Sequence, residues 1–239
     1  MLKKIKKLIR PFIPPVLIPG HFREYMNRIF HKDKISHRYE YERNFYNRHA
    51  FINKAISQYK DCKYLEIGVD LNQVFNSIPL KPDKKFGVDP FRGGNYRMTS
   101  DEFFQKYNHL KFDVIFIDGL HHYKQCQRDC LNSIKSLEDG GIILFHDFLP
   151  LSPFQENVPQ KQGVWTGDVW KVAVELAHSD DVDFRIVNID MGIGILKIKK
   201  NFKYQIMNNL KNENFSNFLE YKKKLPIISS EEGLDFITQ

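Results

Sequence analysis

Short apolar segments alternate with stretches of helical periodicity over most of this chain, and this alternation constrains the fold more than any other feature. Four apolar segments have the length and composition of buried strands: "KYLEIGV" (63–69), "KKFGVDP" (84–90), "FDVIFIDG" (112–119) and "IILFHDF" (142–148). Helical segments separate them, such as "YKQCQRDCLNSIKSLEDGG" (123–141), which ends at two glycines. Strands that alternate with helices predict an α/β fold, a mostly parallel sheet with helices on both faces.

The remaining segments extend this pattern at both ends. Residues 39–59 have the periodicity of one helix, and "YRMTS" (96–100) is a candidate for a further strand. The segment "GDVWKVAVELAH" (167–178) predicts a helix that Asp168 is placed to cap. After it, "FRIVNID" and "GIGILKIKK" predict two strands joined by a short turn. The last strand of the sheet is therefore expected to be antiparallel, at its edge.

Charge divides the chain into an arm and a body. Residues 1–50 contain 12 Lys and Arg against 4 Asp and Glu, a net charge of +8. The remaining 189 residues contain 24 basic and 25 acidic residues, a net charge of −1. A neutral body argues against a basic groove, so no nucleic-acid partner is expected. The predicted organisation is a basic, proline-interrupted arm at 1–38 and a single domain at 39–239 that ends in a helical tail.

The arm begins "MLKKIKKLIRPFIPPVLIPGHF", in which lysines alternate with Leu and Ile at amphipathic spacing before prolines interrupt it. It has neither a secretory signal pattern nor an apolar run long enough to span a bilayer. Two interpretations stay open. The arm either is solvated, packing on a partner subunit of a homo-oligomer or staying loose, or contacts an anionic membrane surface weakly through residues 1–20. The expected location is the cytoplasm, in the second case on the inner face of the membrane.

The three cysteines, Cys62, Cys126 and Cys130, indicate neither a disulfide framework nor a zinc site. Cys126 and Cys130 are one helical turn apart, and no second Cys/His pair completes a zinc pattern. They are interpreted as buried or idle thiols in a reducing compartment.

Acidic side chains follow or end the apolar part of successive predicted strands. In chain order these are Glu66, Asp89, Asp101, Asp118 and Asp147. His121 lies three residues after Asp118, and His146 directly precedes Asp147. In open α/β sheets, ligands bind beyond the carboxyl ends of the strands, near the point where strand order reverses. We therefore expect these side chains to converge on one cleft.

The loop after the first strand restricts the ligand. A dinucleotide-binding chain is expected to have G-x-G-x-x-G there, whereas "LEIGVDLNQVF" has only Gly68, with Asp70 where a phosphate would be repelled. A ligand without phosphate on that loop fits better. S-adenosylmethionine is such a ligand, because its cationic sulfonium tolerates nearby acids. Asp89, after the second strand, is placed to accept both ribose hydroxyls.

The segments "YLEIGV", "GVDP", "FDVIFIDGLHHY", "DGGIILFHD" and "WTGDVWK" together resemble a class I S-adenosylmethionine-dependent methyltransferase. More narrowly, they are similar to the bacterial group that includes macrolide-sugar and surface-glycan O-methyltransferases. The resemblance covers about residues 60 to 198. It implies a Rossmann-like sheet of seven strands whose last strand is antiparallel, and a sugar or nucleotide-sugar as the methylated small molecule.

The resemblance also implies roles for the cleft residues. The cofactor-binding set is Glu66, Gly68, Asp89, Ser100, Asp101 and Asp118. Asp118, His146 and Asp147 match the positions of the metal ligands in metal-dependent members, with His146 where those proteins have a glutamate. Because Mg²⁺ prefers oxygen ligands, His146 either favours a softer metal or does not bind one. His121 matches the position of the general base.

Three functional alternatives remain from the residues alone. The first is O-methylation of a sugar or glycan-type molecule, with a divalent metal as an open question. The second is a catalytically inactive, methyltransferase-like scaffold in glycan or antibiotic assembly, supported by the missing glycines after Gly68. The third is a methyltransferase directed at nitrogen or a phosphoryl group. Trp165 and Trp170 either floor a sugar site or pack a helix onto the sheet, and the long loop at 149–163 is interpreted as a lid.

Overall fold

The structure is a computed structural model that describes residues 40–42, 46–161 and 163–239. The helices are α1 (Arg48–Ile56), α2 (Gln73–Ser77), α3 (Ser100–Lys106), α4 (Tyr123–Lys135), α5 (Pro153–Glu156), α6 (Trp170–Ala177), α7 (Phe215–Lys222) and α8 (Ser230–Thr238). The strands are β1 (Tyr64–Ile67), β2 (Lys85–Val88), β3 (Phe112–Ile117), β4 (Leu137–Phe145), β5 (Asp180–Val187), β6 (Ile193–Lys203) and β7 (Ile227–Ile228). Two short 3-10 helices, Pro82–Lys84 and Asn208–Asn212, lie in connections.

One sheet contains all of these strands in the order β2-β1-β3-β4-β6-β5-β7. Strands β2, β1, β3 and β4 pair in parallel, and β7 pairs in parallel with β5. Strand β6 lies antiparallel between β4 and β5. The predicted Rossmann-like α/β fold with its reversed late strand is confirmed. The strand order reverses between β1 and β3, which is where ligands bind in sheets of this type.

Several elements differ from the sequence predictions. The helix predicted at 123–141 ends at Lys135, and Leu137 already begins β4. The candidate strand at 96–100 is a single bridge between Tyr96 and Val88, because the capping box of Thr99 and Glu102 already starts α3 at Ser100. The reversed strand β6 lies inside the sheet, not at its edge, because β5 pairs with its outer side. The seventh strand of the sheet is instead β7, which was not predicted because two residues are too few to show an alternation of apolar and polar positions.

Both faces of the sheet are buried. Along β3, Ile115 and Ile117 belong to one core cluster, whereas Val114 and Phe116 belong to the other. Helices α3, α4 and α6 contribute to the first cluster, and α1 and α8 to the second. Strand interiors of this kind are mostly apolar, so most polar side chains collect near the strand ends.

The described helices include none that is long and apolar enough to cross a bilayer. The predicted arm at 1–38, and with it the expected membrane contact of residues 1–20, lies outside the described residues. Within the described part of the chain, the helix predicted at 39–59 is shorter and spans Arg48–Ile56. The three cysteines are free and buried.

Candidate functional site

A cleft of about 910 Å³ opens beyond the carboxyl ends of β1, β2, β3 and β4. Its size is typical of small-molecule sites. Every residue that the sequence analysis assigned to the site lines it: Glu66, Gly68, Asp89, Ser100, Asp101, Asp118, His121, His146 and Asp147. The expected convergence on one cleft is therefore observed, while the individual roles of these residues remain predictions.

Close packing of two loops explains the glycine at position 68, although the phosphate-binding motif is missing. Its φ is +85°, and a Cβ at this position would lie 2.1 Å from the carbonyl oxygen of Asp118. The loops after β1 and β3 thus approach too closely for any other residue type. Asp147, whose φ is +68°, adopts the left-handed conformation directly after β4, which turns its carboxylate back toward these loops.

Two carboxylates and two imidazoles form the centre of the site. Nε2 of His121 lies 3.4 Å from Oδ1 of Asp118 and 3.1 Å from Oδ2 of Asp147. Nδ1 of His146 lies 3.4 Å from Oδ1 of Asp118 and 3.1 Å from Oδ1 of Asp147. Both imidazoles therefore face the same pair of acids. We call these four residues the central cluster.

The side chains of His146 and Asp147 are buried without hydrogen bonds. Their relative exposures are 4% and 1%, and neither ring nitrogen of His146 nor either oxygen of Asp147 has a partner in hydrogen-bond geometry. The contacts of 3.1–3.4 Å within the central cluster are ion-pair distances only. Buried polar groups of this kind are costly unless something satisfies them. The cluster is thus built to receive a ligand.

His121 is held by the segment that precedes α6. Its Nδ1 lies 2.9 Å from the carbonyl oxygen of Trp165, and its ring stacks on the Trp165 indole at a centroid distance of 5.0 Å. A carbonyl only accepts, so Nδ1 carries the proton and Nε2 faces the acids. Burial lowers the pKa of His121, but the charges of Asp147 and Asp118 outweigh it and raise the pKa to about 9.

Arg48 and Asp190 complete the site, and sequence reasoning missed both. Nη1 of Arg48 donates to Oδ2 of Asp118 at 2.7 Å. The backbone N, Nε and Nη2 of Arg48 donate to the Asp190 carboxylate at 3.0, 2.9 and 3.0 Å. Arg48 begins α1, and Asp190 lies in the turn between β5 and β6. Neither position follows a parallel strand end, so the rule that located the other acids gave no signal for them.

Glu66 is a buried carboxyl at the floor of the cleft. Its exposure is 1%, and Oε2 accepts a hydrogen bond of 2.7 Å from the Tyr64 hydroxyl. Burial raises the pKa of Glu66 to about 8, against the opposing effect of that hydrogen bond. At neutral pH the group is therefore mostly an uncharged carboxylic acid.

Asp89 is fixed by backbone donors. Oδ1 accepts from the N–H groups of Phe91 and Arg92 at 2.8 and 2.9 Å, and Oδ2 accepts from the N–H of Asp70 at 3.1 Å. These bonds hold the carboxylate at the wall of the cleft in one orientation. Each carboxylate oxygen can accept more than one hydrogen bond, so capacity remains for a diol.

The wall of the cleft formed by Ser100 and Asp101 contains a further acid that was not predicted. Asp101 lies at the rim, where Arg128 forms a 3.3 Å ion pair with it. The hydroxyl of Ser100 donates at 2.6 Å to Asp129, a buried acid on α4 that sequence reasoning did not select. Burial raises the pKa of Asp129 to about 6, against the hydrogen bonds from Ser100 and Gln125. Its position within a helix gave no sequence signal.

The two tryptophans have different roles. Trp165 lines the cleft, and its Nε1 donates to the carbonyl of Asn157 in the predicted lid loop at 2.6 Å. Trp170 is fully buried in the core, against Phe218. Asp168 caps a different helix from the predicted one, because its Oδ1 accepts from the N–H of Tyr123 at the start of α4. This contact ties the Trp165 segment to the loop that carries His121.

The donor set at the centre of the cleft fits a divalent metal ion. One ligand atom each from Asp118, His121 and Asp147 lies within 4.8 Å of the others, and His146 approaches the same two acids. Two ligands of one ion at right angles, each about 2.1 Å from it, are about 3 Å apart. The separations of 3.1–3.4 Å in the cluster agree with that value. The unsatisfied oxygens of Asp147 supply an independent reason for an ion.

Residues 51–148 match the family model of a methyltransferase domain, which is 98 of the 239 residues. The matched segment runs from α1 to the residue after Asp147, so it contains most of the cleft residues. None of the curated proteins is a detectable relative of the chain. The match agrees with the predicted methyltransferase domain over these residues.

Three solved structures illustrate the structural similarity. The MycE methyltransferase of the mycinamycin pathway, determined with Mg and SAH, has 11% identity and a TM-score of 0.42, covering 66% of this chain and 50% of its own. An O-methyltransferase from Bacillus cereus has 11% identity, a TM-score of 0.47 and coverages of 82% and 97%. A putative O-methyltransferase from Klebsiella pneumoniae has 12% identity and a TM-score of 0.44, and the match covers 81% of this chain and 95% of that protein. This chain thus spans half the length of MycE.

Proposed function

We propose that this protein is an S-adenosylmethionine-dependent O-methyltransferase, because residues 51–148 match the family model of a methyltransferase domain. The acceptor is a hydroxyl of a sugar or glycan-type small molecule, and a divalent metal ion assists the reaction. The single observation that carries the proposal is the convergence of Asp89, Asp118, Asp147 and His121 on one cleft at the point where strand order reverses.

The walls of the cleft divide into a cofactor side and a reaction side. Asp89, Ser100 and Asp101 lie on the side of β2 and α3, and would hold the ribose and adenine of S-adenosylmethionine. Glu66 and Gly68 at the end of β1 border its methionine portion. When bound, S-adenosylmethionine supplies a methyl group on a cationic sulfur. The uncharged Glu66 then avoids a strong ion pair with the sulfonium, while Asp118 retains its charge.

The reaction converts an alcohol into a methyl ether and releases S-adenosylhomocysteine and a proton. Asp118 and Asp147 would hold a divalent ion, which would supply Lewis acidity and so lower the pKa of a nearby hydroxyl. His121 accepts the proton at Nε2, since the Trp165 carbonyl holds the ring with its other nitrogen protonated. The pKa of His121 is raised to about 9 by the negative charges of Asp147 and Asp118. A cation bound to these two carboxylates would offset those charges and lower the pKa of His121 again, which favours the neutral imidazole.

The acceptor would enter beside Trp165. This indole stacks on His121 and lines the cleft, so a sugar bound against the part of the indole that faces the cleft would lie beside the imidazole. The lid loop supports the proposal, because Gln160 and Gly163 also line the cleft. A loop of this length after a strand is often functional.

The test uses purified full-length protein. Calorimetric titration with S-adenosylmethionine should show saturable binding, and incubation with methyl-labelled cofactor and a panel of free and nucleotide-linked sugars should yield a labelled methyl ether. The His121→Ala variant should bind the cofactor normally and lose the transfer. His109→Ala, at an exposed histidine outside the cleft, is the matched control. Absence of saturable cofactor binding would favour the inactive scaffold, and label on nitrogen would favour the other methyltransferase class.

A further inference from the structure

His146 is a buried, unsatisfied group in the described part of the site. Its side chain is 1% exposed, and both ring nitrogens lack a partner in hydrogen-bond geometry. Nδ1 points at the carboxylates of Asp118 and Asp147, at 3.4 and 3.1 Å. Leaving a buried donor or acceptor unpaired costs about 1–3 kcal/mol. The fold keeps this imidazole in place all the same, which indicates that a bound ion satisfies it.

A fixed carboxylate lies behind the same ring. Nε2 of His146 is 3.5 Å from Oδ1 of Asp190, and Arg48 holds that carboxylate through three N–H groups. These bonds from Arg48 fix the Asp190 carboxylate beside the His146 ring. A carboxylate on one side of an imidazole favours the proton on the nearer nitrogen and leaves a lone pair on the other. Here that lone pair is on Nδ1, directed at the two acids.

His121 faces the same acids in a different setting. Its Nδ1 already has the Trp165 carbonyl as a partner, and 22% of its side chain is exposed to the cleft. This imidazole is accessible to an acceptor molecule, whereas His146 is not. The two histidines are therefore suited to different tasks, one facing the substrate and one facing an ion.

We propose that Nδ1 of His146 completes a metal site with Asp118 and Asp147, an inference that rests on the proposed function. Asp190 and Arg48 are the residues that position the His146 ring. His121 stays outside the ligand set. A nitrogen ligand in place of a carboxylate oxygen shifts the preference of a site from Mg²⁺ toward transition ions such as Mn²⁺ and Co²⁺. The chain thus selects a different class of ion from an all-oxygen site.

The test measures ion binding directly on the purified full-length protein, without acceptor. Calorimetric titrations with Co²⁺, Mn²⁺ and Mg²⁺ should show at least about tenfold tighter binding of Co²⁺ and Mn²⁺ than of Mg²⁺. The visible spectrum of bound Co²⁺ should report a nitrogen ligand that the His146→Gln variant lacks. That variant should lose about 100-fold or more in Co²⁺ affinity. His121→Gln should keep affinity within a few-fold while losing methyl transfer.

Two further variants make the test independent of folding failure. His146→Glu keeps a ligand at the position and should reverse the selectivity in favour of Mg²⁺. Asp190→Asn should weaken Co²⁺ binding by about 10–100-fold. Asp183→Asn, which removes an exposed carboxylate paired with Lys199, is the matched control and should change nothing. Thermal denaturation of each variant reports its folding.

Three results would overturn the inference: no binding of any of the three ions, tighter binding of Mg²⁺ by the unmodified protein, or a larger loss of ion affinity in His121→Gln than in His146→Gln. A separate titration with S-adenosylmethionine distinguishes this failure from that of the proposed function. Cofactor binding and methyl transfer with an altered ion preference would leave the methyltransferase proposal intact. Ion binding without cofactor binding would refute that proposal and not this one.

Discussion

The buried carboxyl of Glu66 makes the stability of the protein depend on pH in a calculable way. Its pKa is raised from 4.5 to about 8, chiefly by burial. Between these two values the folded state binds more protons at this position than the unfolded state does. The free energy of unfolding must therefore fall as pH rises from about 4.5, and the loss is complete once pH passes the folded-state pKa of about 8. A raised pKa of an acid thus gives stability at low pH that is lost in base.

The magnitude follows from the size of the shift. One unit of pKa corresponds to about 1.4 kcal/mol, so a shift from 4.5 to about 8 amounts to roughly 5 kcal/mol in total. Of this, roughly 3–4 kcal/mol is lost between about pH 5 and about pH 8. The substitution Glu66→Gln removes the titration and keeps an oxygen that accepts the bond from Tyr64. The difference in unfolding free energy between wild type and variant should change by that amount.

Urea denaturation followed by tryptophan fluorescence, at half-unit steps from pH 5 to pH 8.5, measures this difference. Wild type should lose stability relative to Glu66→Gln as pH rises. Glu138→Gln, at an exposed glutamate of β4, controls for the loss of a carboxylate. A difference between wild type and Glu66→Gln that stays constant within about 0.5 kcal/mol over this range would refute the reasoning.

Three other predictions concern activity and folding. His121→Ala should lower the rate of methyl transfer by about 10²–10⁴ with cofactor affinity unchanged, and a rate within threefold of wild type in a single-turnover assay would contradict its role as base. Asp89→Ala should weaken S-adenosylmethionine binding by about tenfold or more, because an acceptor for hydroxyl groups is lost. An unchanged Kd in calorimetry would show that Asp89 has only a structural role. Gly167→Ala should lower the melting temperature measured by calorimetry, since its φ is +62° and a Cβ would lie 1.7 Å from the carbonyl oxygen of His121; an unchanged melting temperature would contradict that packing.

The parts of the fold that depend on local pattern were predictable from the sequence. Strands β1, β3 and β4 each contain a short, mostly apolar stretch because both faces of the sheet are buried, and acids that line the cleft lie within or after these stretches. The position of β6 between β4 and β5 was not predictable, since it depends on long-range pairing that no local period encodes. Strand β7 has only two residues, too few for any period.

The candidate site divides in the same way. Asp118, His121 and Asp147 were found because each follows a parallel strand directly, so chain order determines where it lies. Arg48 and Asp190 reach the same site from a helix start and from a turn between antiparallel strands. The two residues are 142 positions apart in the sequence, and no local pattern indicates that they touch. Contacts of this kind become visible only when the sheet is assembled.

The ion pair between Arg48 and Asp190 has a consequence for the design of truncated forms of this protein. The segment that matches the methyltransferase family runs from residue 51 to 148, and both partners of the pair lie outside it. A fragment cut at those limits would contain both histidines and both central carboxylates, yet it would lack the guanidinium that neutralises Asp118 and the acid that faces His146. The boundary found by sequence similarity and the boundary of the working site are therefore different.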